Sequence, residues 1–480
     1  MPRIFYHARR RVLSHSVEQM LLWKSRSLAR KEASQAPVAP VPQHPNPQRP
    51  EDFRPLENAC FQNPYAFYRM LRDEYPVYQL PNGIYCISRF ADISKVALDH
   101  QTFSSNHQGI IAGLRPGQDV EKVGARMDAL GALGVVPADV LALSDPPRHS
   151  KERRTGLKGL NPQFVRSLDG SIETLCRSMM DEFIQKGQVE FMQEFGWRLP
   201  MRLIIELLGF PEKDYERIKV WCMHGIASQS GISTPSELMR SRAATMAFTR
   251  YCWEQFRIAQ AHPREDLCGV FVNAVADPEN PMTEPSAVAA LFQLLIAGSD
   301  SSATSMGNAL KVLIDNPALA EEIRGDLDNK LPAFIEEVFR MEAAFQGHFR
   351  WVKQDTELHG VKLPRGSRLF LMWGSGNRDE RMFENPDVID LNRSNGKKHL
   401  TFGHGIHACI GRELARSEIR IVLREFLTRT RNMRIAGDAP FLASMFARTL
   451  VRLPVAFDPV HPEQMDATRP AEAPAMAHAS

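Results

Sequence analysis

The 480-residue chain is 43% hydrophobic and 24% charged, the balance of a globular protein with a large core. Its net charge of +3 is too small to point to nucleic acid, and no run of ~18 apolar residues is present for an ordinary membrane-spanning helix. Seven scattered cysteines (Cys60, Cys86, Cys176, Cys222, Cys252, Cys268, Cys409) include no Cys-x-x-Cys pair, which argues against a disulfide framework or a zinc site and for a reducing compartment.

The charge is unevenly placed. Residues 1–35 hold eight Lys/Arg against Glu18 and Glu32, and they lack the apolar segment of a secretory signal. Such a start reads as a solvated tail, a transit-like segment, or a stretch able to make peripheral contact with an anionic membrane surface. Six prolines within 33–51 then mark an extended linker. The expected division is a flexible basic extension and linker over 1–50, one domain over 51–460, and a flexible tail over 461–480.

Within the domain, Asn63-Pro64-Tyr65 opens a helix, 77–88 reads as two short strands about an Asn82-Gly83 turn, and a helix follows over 90–99. From 104 to 144, six glycines interrupt apolar residues, the pattern of a functional or mobile loop. Asp145-Pro146-Pro147 fits a helix start, after which His149 and Arg153 share one face at i and i+4. Alone, that pair reads as a solvated pair rather than a site. Amphipathic helical patterns dominate 164–274.

Thr283-Glu284-Pro285 starts a helix that can run to Asp315, about 31 residues or ~46 Å. In its middle, Ala297-Gly298-Ser299-Asp300-Ser301-Ser302 sets small and polar residues in an apolar helix. They cost helix stability there and mark either close packing or a local opening. Further on, Glu337 and Arg340 sit at i and i+3 on a helix, followed by Arg350 and Arg393; 360–372 reads as two strands of a small sheet, and 441–457 as a hairpin.

Between these lies His-Leu-Thr-Phe-Gly-His-Gly-Ile-His-Ala-Cys-Ile-Gly-Arg-Glu-Leu-Ala-Arg, from His399 to Arg416. Gly403, Gly405 and Gly411 flank Cys409, and the sequence after Gly411 is strongly helical. At or before the first turn of a helix, unpaired N–H groups and the helix dipole favour a thiolate. A structural cysteine in a glycine-rich turn is the other reading.

The spacing Phe402-Gly-x-Gly-x-His407-x-Cys409-x-Gly411, followed by Leu414-Ala415-Arg416, resembles the haem loop of the cytochrome P450 monooxygenases. The remaining signatures of that family also occur in order, so the resemblance extends from near Glu51 to near Pro459. It implies a mainly α (α+β) cytochrome P450 fold: a large helical domain, a small β-rich lobe, and haem b between the long distal helix and the cysteine helix. Cys409 would be the axial iron ligand, with Phe402 shielding its sulfur and Gly411 in the same loop. His149, Arg153, Arg350 and His407 would bind haem propionates. Glu337, Arg340 and Arg393 would form a buried network that pins the loop, with planar guanidinium groups gripping one carboxylate. Asp300 and Ser301 would deliver protons as an acid–alcohol pair. Ser301 stands where the family commonly has threonine; it keeps the hydroxyl but loses the methyl that restricts its rotamer.

The function so implied is insertion of one oxygen atom of O2 into a hydrophobic small molecule in a bacterial cytoplasm. Electrons would come from a ferredoxin and its NAD(P)H-ferredoxin reductase, since no Gly-x-Gly-x-x-Gly turn after a strand suggests a flavin. Lys397, Lys398, Arg412 and Arg416 would form a basic docking face. Ala344, Gln346, Met445 and Phe446, with the 104–144 segment and the distal helix, would touch a lipid-like, terpenoid, steroid or aromatic substrate. Two other readings stay open: a haem-thiolate peroxygenase, whose members replace the acid–alcohol pair, and a non-catalytic haem or gas sensor.

Overall fold

The computed structural model describes residues 2–32, 47–106, 140–227, 233–279 and 281–460. Helix α1 (Pro2–Glu32) is followed by α2 (Asn58–Gln62), α3 (Tyr65–Glu74), β1 (Val77–Gln79), β2 (Ile84–Ile87), α4 (Phe90–Leu98) and β3 (Phe103–Ser104). The β1–β2 hairpin turns at Gly83, whose φ of 81° suits glycine. Helices α5 (Arg148–Gly159), α6 (Pro162–Ser167) and α7 (Asp169–Asp181), strand β4 (Gln188–Glu190), and helices α8 (Arg198–Leu207), α9 (Tyr215–Ala227), α10 (Pro235–Ala261) and α11 (Leu267–Val275) lead to the central helix, α12 (Glu284–Asp315). Beyond it come α13 (Pro317–Arg324), α14 (Leu327–Met341), strands β5 (His348–Val352), β6 (Thr356–Leu358), β7 (Val361–Leu363) and β8 (Arg368–Leu371), α15 (Trp373–Gly376), the cysteine-following helix α16 (Arg412–Arg429), β9 (Thr430–Ile435) and β10 (Pro454–Pro459).

Helix α12 starts where the sequence indicates, with Thr283 Oγ1 accepting from the Ser286 N–H at 3.2 Å. It is packed by α8, α10, α11, α14 and α16 and is therefore apolar around most of its circumference. Helix assignment is unbroken through 297–302, and the small residues serve close approach: a Cβ at Gly298 would come 3.2 Å from Ile204 of α8. At Gly307 a Cβ would meet Met192 Sδ at 2.5 Å.

The main sheet has the order β1-β2-β8-β5-β3, with β2 and β8 parallel and the other pairs antiparallel. Two strand readings are corrected. The 360–372 stretch divides between sheets, β7 pairing with β6 while β8 enters the main sheet; the contiguous buried run Leu369-Phe370-Leu371 needs neighbours on both edges. The 441–457 stretch closes through one bridge, Phe441 with Leu450, and β10 then pairs with β9 and β4, burying Val455, Ala456 and Phe457.

The expectation of a flexible extension over 1–50 is also revised. Residues 2–32 are helical and run antiparallel along α10. Arg250 donates to Glu18 at 2.5 Å and to Ser14 at 3.1 Å, Ser25 donates to the Ser236 carbonyl at 2.8 Å, and the Glu32 carboxylate accepts from Ser236 N and Oγ at 3.0 and 2.6 Å. A stretch free of glycine and interrupted by no proline, with both acids engaged, holds a helix where net charge alone suggested a tail. The 33–46 part of the linker, the tail over 461–480 and most of the 104–144 loop (107–139) lie outside the described residues.

Candidate active site

Cys409 lies three residues ahead of α16. Its N–H donates to the Phe402 carbonyl at 2.7 Å, closing the loop, while Gly403 and Gly405 adopt φ of 71° and 72°. A Cβ at Gly405 would lie 3.0 Å from the Ala97 carbonyl oxygen, so this turn needs glycine for both angle and space. Cys409 is exposed on one side, while the protein packed around its sulfur pushes the thiol up and the Gly411 N–H with the charges of Arg153, Arg412 and Arg416 opposes that push. The Phe402 ring is fixed on three sides, by Phe339 (4.8 Å between centroids), His399 (5.5 Å) and the Arg416 guanidinium (4.8 Å).

The structure brings the N-terminal part of α5 to this loop. The His149 and His407 rings lie 4.2 Å apart, and Nε2 of each is buried without a hydrogen-bond partner among the described residues. Burial and the charge of Arg153 lower His149 to about 4; burial and Arg350 lower His407 to about 2. Arg350, on β5, is buried, donates to the Phe349 carbonyl at 2.7 Å, and is pulled to about 10 by that burial. Two unpartnered imidazoles and two guanidinium groups at one place form a donor set for anionic groups such as carboxylates, and they fit the propionates of haem above a cysteine-bearing loop.

The network behind the loop is complete. Glu337 accepts from Arg340 Nε and Nη2 (both 2.8 Å), from Arg393 Nε (3.0 Å) and from the Asp390 N–H (3.0 Å). Burial raises the Glu337 carboxyl, but these donors outweigh it and hold the group below the usual carboxylate range. Arg340, fully buried, also donates to the carbonyls of Asn377, Pro386 and Val388, which ties α14 to the segment leading to the cysteine loop.

On α12, Asp300 is 1% exposed, its Oδ1 has no partner among the described residues, and burial raises it to about 7. Ser301 is only partly buried; its hydroxyl donates back to the Ala297 carbonyl at 2.9 Å, and Ser299 does the same to Leu295 at 2.8 Å.

Two acids near the site escaped the sequence reading. Glu418 of α16 accepts from Ser302 Oγ and is raised to about 8 by burial. Its signal was positional: it falls four residues from both Leu414 and Val422, on the buried stripe of α16, where an acid is rare. Glu336 binds Arg416 Nε at 2.6 Å and His399 Nε2 at 3.3 Å. Arg416 is thereby turned inward, which removes it from the expected set of freely presented cations. Gln346 is also withdrawn from the expected substrate contacts, since it binds Tyr68 Oη at 3.0 Å and the Ala343 carbonyl at 2.7 Å within the core.

Residues 237–433 match a family model described as Cytochrome P450. The chain is 33% identical over 396 residues to Cytochrome P450 144 of Mycobacterium tuberculosis, covering 82% of this chain and 89% of that protein. Among solved structures it is similar to cytochrome P450 CYP109Q5 from Chondromyces apiculatus (29% identity, TM-score 0.72, 85% of this chain and 98% of that one). It is likewise similar to CYP109E1 from Bacillus megaterium in complex with testosterone (25% identity, TM-score 0.73, 82% and 98%).

Proposed function

Because the chain belongs to the cytochrome P450 family, the haem-thiolate monooxygenases, we propose that it inserts one oxygen atom of O2 into a hydrophobic small molecule using electrons delivered by a ferredoxin. One observation carries the reading: a glycine-shaped cysteine loop, two imidazoles whose Nε2 atoms are buried without a partner among the described residues, and a buried arginine converge at one place. When bound, haem supplies dioxygen activation and the iron that Cys409 ligates.

The chain's own groups do the rest. Arg350, His149, Arg153 and His407 would hold the propionates and so orient the haem. Phe402, held by Phe339 and Arg416, would shield the Cys409 sulfur. Asp300, raised to about 7, exists in both protonation states near neutrality and can hold and release a proton at Oδ1. Ser301 donates its hydroxyl hydrogen bond to the Ala297 carbonyl, which leaves its lone pairs able to accept one. Glu418, through Ser302, is a second buried proton holder behind the same turn of α12. A retained acid–alcohol pair favours monooxygenation over peroxide-driven chemistry, and a proton-holding pair has no use in a gas sensor.

A ferredoxin as donor is supported by a cleft of about 880 Å³ beside the cysteine loop. Among the described residues it is lined by Arg166, Lys397, Lys398, Arg412, Arg416 and Arg420 against Asp169, Glu336 and Glu413. Those three acids pair with Arg420, Arg416 and Arg412, leaving a positive surplus for an acidic partner. The steroid held by CYP109E1 supports an apolar substrate class, as does the tilted pair (4.7 Å) of Phe345, just ahead of β5, with Phe446, between β9 and β10. The test is to supply NADH, reductase and ferredoxin with a library of apolar compounds and to measure NADH, peroxide and product together. Product formed with these components but not with peroxide alone supports the proposal; product formed only with peroxide overturns it.

A further inference from the structure

Helix α1 sorts its charges by face. Its two acids, Glu18 and Glu32, point inward and are consumed by Arg250 and Ser236 of α10, beside the buried Ser14 and Ser25. On the opposite face Met20, Trp23, Ser27 and Arg30 succeed one another at helical spacing, all exposed, with Lys24 and Arg26 exposed on the two shoulders. Trp23 is 68% exposed and Met20 55%. From Ser14 to Glu32 no acid lies among the exposed residues of this helix, and the preceding turns add Arg3, Arg9, Arg10 and Arg11 to the same element.

We infer that this outer face of α1 docks on an anionic lipid surface. A cationic face alone would suit any polyanion. An indole at its crown flanked by long cationic side chains suits lipid in particular: the ring sits at headgroup depth, and lysine and arginine stems extend along it to reach phosphates. The attachment to α10 makes the docked helix part of the domain, so the catalytic domain rides with it. The arrangement also keeps the enzyme where apolar compounds partition.

The test uses the full haem-loaded chain in flotation with phosphatidylcholine vesicles, with and without phosphatidylglycerol, at low and high salt. Binding is expected only with the anionic lipid, falling with salt and dropping between tenfold and a hundredfold, roughly, in the triple variant Lys24→Gln/Arg26→Gln/Arg30→Gln. Trp23→Ala is expected to lose about tenfold while the salt dependence remains. All four side chains are exposed, so the spectrum and melting temperature of each variant should match the parent, and that control separates lost docking from lost folding. Absence of binding to anionic vesicles at low salt, or binding unchanged in the triple variant, overturns the inference. So does a dimer that is broken by Trp23→Ala with no vesicle binding, which would assign the face to a second copy of the chain.

Discussion

Ser302 Oγ donates a 2.5 Å hydrogen bond to Glu418 Oε2, and through it the helix that carries Asp300 is joined, inside the core, to the helix that follows Cys409. Both partners are buried, 4% and 1% exposed, so the bond forms in a low-dielectric setting where a neutral carboxyl is favoured.

The first prediction follows from that setting. Burial raises Glu418 to about 8, above the ordinary glutamate value of 4.5 that applies to the unfolded chain. The folded state therefore binds a proton that the unfolded state releases, and stability falls as pH rises from about 4.5 to about 8. Glu418→Gln keeps a neutral acceptor for Ser302 and should flatten that fall. Urea unfolding at several pH values across this window measures it; an unchanged slope in the variant would assign the pH dependence elsewhere.

The acid and alcohol of α12 should separate in their effects. Asp300→Asn keeps the shape but cannot release a proton, and should slow turnover by about 10²-fold or more. Ser301→Ala should chiefly divert reducing equivalents to peroxide, and Ser301→Thr should improve the ratio of product to NADH by restricting the rotamer. Parallel assays of product, peroxide and NADH distinguish the two. If Ser301→Ala leaves both rate and coupling intact, the hydroxyl of Ser302 takes the role.

Removing the carboxylate at Glu337 leaves Arg340 and Arg393 buried without their shared partner, at a cost of about 3–5 kcal/mol. Glu337→Ala should lower the melting temperature strongly and yield little haem-loaded protein. A normal haem content would mean that the network does not hold the loop.

Charge on the cysteine-side cleft should act on the rate of electron delivery. Lys397→Gln/Lys398→Gln should reduce the second-order rate of reduction by ferredoxin at low salt, and parent and variant should converge as salt screens the attraction. Arg416→Gln should behave differently, because that guanidinium is held by Glu336 and covers Phe402. Its loss should disturb the cysteine loop's spectrum as well as partner association.

The long helix, the cysteine loop and the Glu337 network were legible because each rests on local rules: a cap at Thr283, glycines at positive φ, and acid–arginine spacing on one helix face. What escaped depends on distant partners. Nothing local tells that Arg416 turns to Glu336, that Gln346 is spent on Tyr68, or that α1 lies along α10. Likewise β7 and β8, adjacent in sequence, part into different sheets because their partners β6 and β2 lie on either side. Glu418 shows the intermediate case. Its place on an apolar stripe was visible, but its partner on α12 was not.

The central claim is that Cys409 ligates haem iron as a thiolate. Its most direct measurement is the absorption spectrum of the reduced carbon monoxide adduct of the parent chain and of Cys409→Ser. The parent should show a red-shifted Soret band and the variant should lose it, because serine offers iron no soft thiolate. A variant that kept the band, or a parent that bound haem and never showed it, would contradict the assignment.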